Sequence, residues 1–356
     1  MKKLSFRHKK YLERRRQRVE RKKNNSKKSL YKETHKRNVI LTPENMNLDR
    51  AYKETVLFFN KVRKACDSGE IFEVDFTKLR HITPSAALIL TSEMDRICSI
   101  RKEKKNYGKK SKKKKKYGLK VLDFNRWDEK IKILLEDMGM NKLLKIPNWK
   151  KVKNRVETDE IFLPFQRGQK ASGDDARVLR DSLNDLSKIV PKPRNLLRGL
   201  GEAMDNSLFH AYPDNFQKLN KLKEKLWWMS ASFNEKKKLL TIMFFDQGIS
   251  IPASIKKKFA ERVSSFFAKC TDGEIIKAAT EIGRSGTGEE HRGNGLGRDI
   301  KEYVSSLEHG YLRIISRRGE YFYSNYSKKD DNTEEKVYNR NEVLGGTLIE
   351  WQAYIK

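Results

Sequence analysis

Leu239-Leu-Thr-Ile-Met-Phe-Phe-Asp246-Gln-Gly248 is an apolar run that ends in an acid and a glycine. A run of aliphatic and aromatic residues of this length predicts a buried strand. A similar run, Leu226–Phe233, precedes it, and the polar residues 234–238 between the two predict a hairpin. Asp246 then falls at a strand end, where a fixed carboxylate can accept hydrogen bonds from a ligand amino group.

Two polar residues four positions apart mark a helix that precedes this hairpin. Helices are predicted over 174–189 and 194–211, and the second contains Glu202-Ala-Met-Asp-Asn206. Side chains at i and i+4 share one helix face, so we expect Glu202 beside Asn206, with His210 one turn further on. An amide oxygen suits Mg²⁺, and a neighbouring carboxylate can take a proton from an attacking nucleophile.

Glycines dominate two stretches after the hairpin. Arg292-Gly-Asn-Gly-Leu-Gly-Arg298 leads into a predicted helix over 299–307, and the backbone amides of such a turn form an anion cradle. Gly345-Gly-Thr347 begins the last predicted strand, 347–354, after strands predicted near 311–316 and 319–325. The candidate phosphate contacts in the first stretch are Arg292, Gly293, Asn294, Gly295, Leu296 and Gly297.

The first 150 residues alternate strand-like and helix-like patterns. Strands are predicted over 71–76, 119–124 and 143–146, and helices over 45–66, over 127–139 and from Thr83-Pro-Ser85 onward. This alternation predicts a small α/β domain. We assign residues 38–149 to it, with a Lys-rich insertion at 101–118, then a linker at 150–157 and a second domain at 158–356.

The net charge of +32 is concentrated in two segments. Residues 1–40 contain 17 Lys/Arg and three Glu, and residues 101–120 contain 12 Lys/Arg and one Glu. The tail, 1–37, is predicted to be disordered or helical. Basic tracts of this kind either bind nucleic acid and other polyanions or are solvated chain, and both interpretations stay open.

The sequence does not indicate a membrane or an oxidising compartment. No apolar run reaches the roughly 20 residues that span a bilayer, and no apolar signal core follows the basic N-terminus. The three cysteines are far apart and form no CxxC pair. We therefore expect a cytoplasmic protein without a disulfide framework.

In this order, the stretches at 202–206, 246–248, 293–297 and 345–347 resemble the ATP site of the GHKL superfamily (gyrase B, heat-shock protein 90, histidine kinases, MutL). The resemblance covers roughly residues 158–354. It implies a Bergerat-type α/β sandwich, with a mixed, mainly antiparallel sheet and helices on one face.

The same resemblance implies ATP and Mg²⁺ as cofactors and assigns a role to each matched residue. Asn206 would be the metal ligand, Glu202 the general base and Asp246 the adenine acceptor. Thr347 would support Asp246, and Gly248 would let the backbone approach the base. The superfamily's second glycine after the Asp is replaced here by Ser250.

Two further resemblances concern the branch of the superfamily. Glu202-Ala-Met-Asp-Asn-Ser-Leu-Phe-His-Ala-Tyr212 is similar to anti-sigma-factor serine kinases, and Val74–Ala87 resembles the STAS domains of anti-anti-sigma factors. On that alignment Ser85 falls at the serine that partner kinases phosphorylate, and we expect it to be exposed; the alternative is an ordinary helix-start residue. The implied partners are a protein phosphoacceptor, a sigma-factor-like protein and a second copy of the chain.

Three functions remain open at this point. The first is an ATP-binding regulator with slow ATP hydrolysis or Ser/Thr phosphotransfer. The second is a nucleic-acid-associated ATPase switch of a mobile-element or defence system, which would bind through the basic segments. The third is a scaffold that holds nucleotide without catalysis.

Overall fold

The computed structural model describes most of the chain after Arg37. The described residues are 38–68, 72–107, 119–144, 146, 149, 158–170, 173–187, 190–219, 224–258, 269–281, 298–325 and 333–355. Ile40–Lys356 is one compact unit, and of the other, Met1–Val39, only Asn38 and Val39 are described. The predicted tail 1–37, residues 108–118 of the predicted insertion and the predicted linker 150–157 lie outside the described residues.

Small sheets and helices form the first part of the compact unit. The elements are β1 (Asn38–Leu41), β2 (Asn45–Met46), α1 (Tyr52–Ser68), β3 (Phe72–Asp75), β4 (His81–Ile82), α2 (Pro84–Tyr107), β5 (Leu119–Leu122), a 3₁₀ turn (Phe124–Arg126), α3 (Glu129–Asp137) and α4 (Met140–Leu144). One sheet has the order β1-β3-β5, with β3 and β5 parallel, and β2 pairs with β4 in parallel.

A larger antiparallel sheet with helices forms the second part. Its elements are β6 (Glu160–Phe162), β7 (Gln166–Gly168), α5 (Gly173–Ser187), α6 (Pro193–Asn206), a π-helical turn (Ser207–Ala211), α7 (Asp214–Leu219), β8 (Trp227–Asn234), β9 (Leu239–Asp246), α8 (Ile251–Lys258), α9 (Asp272–Glu281), α10 (Arg298–Ser305), β10 (Gly310–Asn325) and β11 (Thr333–Tyr354). The six strands have the order β10-β11-β9-β8-β6, and β7 also pairs with β8. Each of these pairings is antiparallel.

Side chains alternate along each strand, so the large sheet has two faces. On one face, Ile242, Phe244 and Trp351 pack with Leu200 of α6 and Ile300 of α10 in a buried core. The indole nitrogen of Trp351 also donates a hydrogen bond to the Ile300 carbonyl at 3.0 Å. The helices of the second part therefore cover this face.

The other face of the sheet is covered by the first part of the chain. Trp228, Phe245 and Leu348 belong to the same buried core as Leu88 and Leu90 of helix α2. The two segments that the sequence assigns to separate domains thus share one hydrophobic core within one compact unit.

Helix α2 is buried throughout residues 85–97, including its polar side chains. Asp95 accepts hydrogen bonds from the Trp228 indole nitrogen at 3.1 Å and from the Arg167 guanidinium at 2.7 Å. The Ser85 hydroxyl donates to the Glu350 carboxylate on β11. These contacts satisfy polar groups that burial would otherwise penalise.

Ser85 is 2% exposed, so the expectation of an exposed serine at this helix start is wrong. Helix α2 does begin at Pro84, as predicted, but the large sheet lies over its first turn. The local sequence pattern predicts where the helix starts. It does not predict the burial of Ser85, because the strand that covers this residue, β11, is about 265 residues away in the chain.

Two predicted elements in the first part of the chain differ from the structure. The helix predicted over 45–66 begins only at Tyr52, because the Asn47 side chain accepts the Asp49 amide at 2.6 Å and holds a turn before it. The strand predicted over 143–146 is replaced by helix α4, which follows a turn at Gly139 with φ of 92°. The predicted insertion also starts inside a helix, since α2 continues to Tyr107.

Within the described ranges, no helix is long and apolar enough to cross a membrane.

Replacing Leu88 by Ala should destabilise the whole compact unit by about 2–5 kcal/mol, because a fully buried side chain of the shared core is truncated. Urea unfolding followed by circular dichroism and by tryptophan fluorescence should give one coincident transition, shifted in the variant. Leu57→Ala, at a side chain 41% exposed, is the matched control with a much smaller shift. Two separate transitions, only one of them shifted, would contradict a shared core.

Candidate functional site

Asp246 is the last residue of strand β9 and is 5% exposed. Burial raises the pKa of its carboxyl from 3.8 to about 7, although the Gly248 amide donates to Oδ1 at 2.8 Å and opposes the shift. A carboxylate held in this way at a strand end can accept a hydrogen bond from a ligand that enters the site.

Thr347 lies directly opposite Asp246 in the β9–β11 pairing. Its hydroxyl is 2.9 Å from that of Ser316 on β10, and the Ser316 hydroxyl also accepts the Ile251 amide at 2.9 Å. The predicted neighbourhood of Asp246 and Thr347 is therefore present. Ser316, which connects Thr347 to the start of helix α8, has no signal in the sequence.

Gly346 needs to be glycine for two reasons. Its φ is 105°, in the left-handed region that other residues rarely adopt. A Cβ atom there would also lie 1.9 Å from the carbonyl oxygen of Asp246. The Gly345-Gly-Thr347 stretch thus brings strand β11 against the backbone of Asp246.

Glu202 and Asn206 share one face of helix α6, as their spacing predicts. The Asn206 amide nitrogen donates to Oε1 of Glu202 at 3.0 Å. Burial raises the pKa of the Glu202 carboxyl, the hydrogen bond from Asn206 lowers it, and the charges of Asp299 and Asp205 raise it further. A carboxylate with a raised pKa is a better proton acceptor near neutral pH.

The loop after Asp246 packs on the end of the helix that carries Glu202. The Ile249 amide donates to the Ala211 carbonyl at 2.8 Å, and a Cβ atom at Gly248 would lie 2.4 Å from Cβ of Ala211. Gly248 is thus required for this close approach. The neighbouring Ser250 has a φ of 89°, a conformation suited to the glycine that the superfamily pattern has there.

His210 is exposed and lies on the π-helical turn Ser207–Ala211. The helix predicted over 194–211 is therefore α-helical as far as Asn206 and π-helical over Ser207–Ala211. A π-helical turn has i→i+5 hydrogen bonds, which rotate later residues away from the α-helical spacing. The assignment of His210 to ligand binding stays a prediction.

Helix α10, which follows the glycine-rich stretch, packs beside α6. Arg198 of α6 pairs with Asp299 at 3.1 Å, and a Cβ atom at Gly199 would lie 3.2 Å from the Asp299 carbonyl oxygen. The predicted phosphate-contact residues Arg292, Gly293, Asn294, Gly295, Leu296 and Gly297 lie outside the described residues. Helix α10, which follows these residues, starts next to α6, the helix that carries Glu202.

Further residues around the site carried no assigned role in the sequence analysis. The Tyr212 hydroxyl accepts the Gln247 amide at 2.8 Å and donates to the Leu226 carbonyl. The Gln247 side chain donates to Ser92 of α2 at 3.3 Å, and Arg63 of α1 donates to the Gly345 carbonyl at 3.3 Å. Tyr212 ends a motif that the sequence displays, but Ser92 and Arg63 are too distant in the chain for any local pattern to reveal them.

The described residues contain no group of three or more His, Cys, Asp or Glu side chains placed to hold a metal ion. A cation beside Glu202 would need oxygen ligands, if it were Mg²⁺. Asn206 fits such a role, because its amide nitrogen is turned to Glu202 and its oxygen is the atom left for a cation.

Comparison of the chain with models of known protein families and with curated protein sequences finds no match.

Replacing Asp246 by Asn should remove a pH-dependent part of the stability. The unfolded carboxyl ionises near 3.8 and the folded one near 7, so the folded state binds one more proton between these values and loses stability as pH rises. The wild-type free energy of unfolding should therefore fall relative to Asp246→Asn by about 1.4 kcal/mol per pH unit over this window. Urea unfolding of both proteins from pH 4.5 to 8 measures the difference; a difference independent of pH would contradict the burial argument.

Proposed function

We propose that this protein binds ATP with Mg²⁺ at the Asp246 site and is a cytoplasmic regulator with slow ATP hydrolysis or Ser/Thr phosphotransfer. In this proposal residues 158–356 form a GHKL domain of Bergerat type. Residues 38–149 form a STAS-like module fused to it. Among the branches of the GHKL superfamily, residues 202–212 are most similar to the anti-sigma-factor serine kinases.

The observation that supports the proposal most is that distant stretches of the chain meet around Asp246, helix α6 and the π-helical turn that follows α6. The loop after Asp246 packs on Ala211, Gly346 lies against the Asp246 backbone, and Asp299 of α10 pairs with Arg198. These segments are tens of residues apart in the chain. If the motifs matched the superfamily pattern only by chance, we would not expect the segments to contact one another.

The chemistry of Asp246 suits the exocyclic amino group of adenine. A buried carboxylate next to the backbone amides of residues 247 and 248 offers an acceptor in a site from which water is largely excluded. A guanine base presents a carbonyl oxygen at the same position, which an ionised carboxylate repels. We therefore expect ATP to bind more tightly than GTP.

Glu202 and Asn206 would act at the phosphate end. Bound Mg²⁺ would supply charge neutralisation of the phosphate oxygens, with Asn206 as its protein ligand. Glu202, oriented by its hydrogen bond from Asn206, would hold the proton of an attacking water or hydroxyl.

The attacking group is not Ser85 in the conformation described. Its hydroxyl is buried and donates to Glu350, on the sheet face opposite to Asp246. The acceptor in this proposal is therefore water or a Ser or Thr of another protein, such as a sigma-factor regulator or a second copy of this chain.

A second candidate function rests on the charge distribution. The basic segments 1–40 and 101–120 carry most of the net charge of +32 and contain none of the proposed ATP-site residues. They favour contact with nucleic acid, which would make the chain an ATP-dependent switch on a polyanion. Binding of DNA or RNA that weakens steeply with salt would support this function.

Replacing Glu202 by Gln should keep ATP binding and lower turnover by about 10²–10⁴, the usual contribution of a general base. Replacing Asn206 by Ala should remove the Mg²⁺-dependent part of ATP binding. Calorimetry with ATP and GTP, and the transfer of label from γ-labelled ATP to phosphate or protein, measure these effects. Glu54→Gln, at an exposed glutamate of helix α1 outside the proposed site, is the matched control.

Two results would contradict these assignments. Unchanged turnover in Glu202→Gln, with an active wild type, would show that Glu202 is not the base. Failure of the wild-type chain to bind ATP in the presence of Mg²⁺ would refute the proposed function.

A further inference from the structure

A cavity of about 870 Å³ lies on the face of the large sheet opposite to Asp246. Thr241 and Glu350 line it, and they alternate along β9 and β11 with Ile242 and Trp351, which pack on the helix side. Its other wall comes from residues 45–50, 80–85 and 130–134 of the first part of the chain. The cavity is therefore separate from the site at Asp246.

The floor of this cavity is polar, buried and internally paired. Arg313 is 5% exposed and donates to Asp49 at 2.6 Å and to Glu320 at 2.7 Å. Glu350, equally buried, accepts from Tyr311 at 3.2 Å and from Gln352 at 3.0 Å. The floor thus presents hydroxyl, amide and carboxylate groups, which suit the hydroxyls of a ligand better than an apolar body.

The rim has a different character, because it carries four exposed cations: Arg50, Arg80, Lys130 and Lys237. Among the residues that the structure describes, no carboxylate pairs with any of these four side chains. Arg80 donates only to backbone carbonyls, at 2.9 Å to that of Thr77. The rim can therefore receive an anion without breaking an existing ion pair.

Four carboxylates also line the cavity, and each of them already has a partner: Asp49 pairs with Arg313 at 2.6 Å, and Glu350 accepts from Tyr311 at 3.2 Å. Asp159 pairs with Lys236 at 2.8 Å, outside the lining, and Glu160 accepts from Asn234 at 2.9 Å. Glu350 is buried, whereas the four cations are exposed, and its negative charge disfavours an anion beside it. A ligand would therefore place its anionic end at the exposed rim and its neutral end at the buried floor.

We propose that this cavity binds a small sugar phosphate or polyol phosphate, with the phosphate at the rim and the hydroxyls at the floor. Four lining cations without an acidic partner among the described residues suit a group of more than one negative charge, and Arg and Lys are the common phosphate partners. The volume lies within the roughly 300–1,000 Å³ of small-molecule sites and exceeds the need of inorganic phosphate alone.

The test uses probes that contain no adenine, so that they do not engage the Asp246 site. Saturation-transfer NMR on the full chain at low salt should detect ribose 5-phosphate, glucose 6-phosphate or glycerol 3-phosphate, and none of the matching unphosphorylated compounds. The double variant Lys130→Glu/Lys237→Glu should weaken the binding at least tenfold. Lys53→Glu, an exposed lysine of α1 outside the lining, is the matched control and should bind like the wild type.

The outcomes separate this inference from the proposed ATP function. Loss of sugar-phosphate binding in the double variant, with ATP affinity retained, supports a second site. The inference is overturned if none of the three phosphates binds, if the double variant binds them like wild type, or if inorganic phosphate binds as tightly as they do. Circular dichroism of each variant checks that it is folded.

Discussion

Helix α2 is buried over residues 85–97 against strands β8 and β9 of the large sheet and helices α1 and α4, and its polar side chains need partners there. Three of them find one on the sheet or on the loop after β9, in the pairs Ser85–Glu350, Ser92–Gln247 and Asp95–Trp228. A buried polar group without a partner costs roughly 1–3 kcal/mol, so a shift of the helix would leave several such groups unsatisfied. This constraint fixes how the two parts of the chain pack on each other.

The same packing holds two segments that flank the candidate nucleotide site: the loop after Asp246 and the part of β11 just before Thr347. Gln247, next to Asp246, contacts Ser92 of α2, and Gly345, near Thr347, accepts from Arg63 of α1. Arg63 in turn pairs with the buried Glu93, so its position depends on α2 as well. The site at Asp246 is therefore supported from the helix side by α6 and from the opposite side by the first part of the chain.

Local patterns in the sequence predict much of this architecture. The β8–β9 hairpin, the start of α2 at Pro84 and the shared face of Glu202 and Asn206 all follow from periodicity and turn residues. The strands predicted near 311–316 and 319–325 are one strand, β10, because its partner β11 extends back to Thr333 and pairs with both halves. The register of this pairing is irregular at Arg317. The sequence does not indicate the extension of β11, since most of its residues are polar and exposed.

Features that depend on long-range packing had no local signal. Ser85 is buried by strand β11, and helix α6 is followed by a π-helical turn at Ser207–Ala211; neither follows from the residues next to it. The pKa of Asp246 depends on burial by segments far away in the chain. The cavity on the opposite face exists only because the first part of the chain covers the polar end of the sheet.

Hydrogen exchange of the intact chain with and without ATP and Mg²⁺ tests the central claim most directly, because it locates the ligand along the sequence. The account predicts slower exchange at residues 203–212 and 246–250 when ATP is bound, and a smaller effect with GTP at the same concentration. Slowing confined to the basic segments 1–40 and 101–120, or no change at 246–250 under saturating ATP, would contradict it.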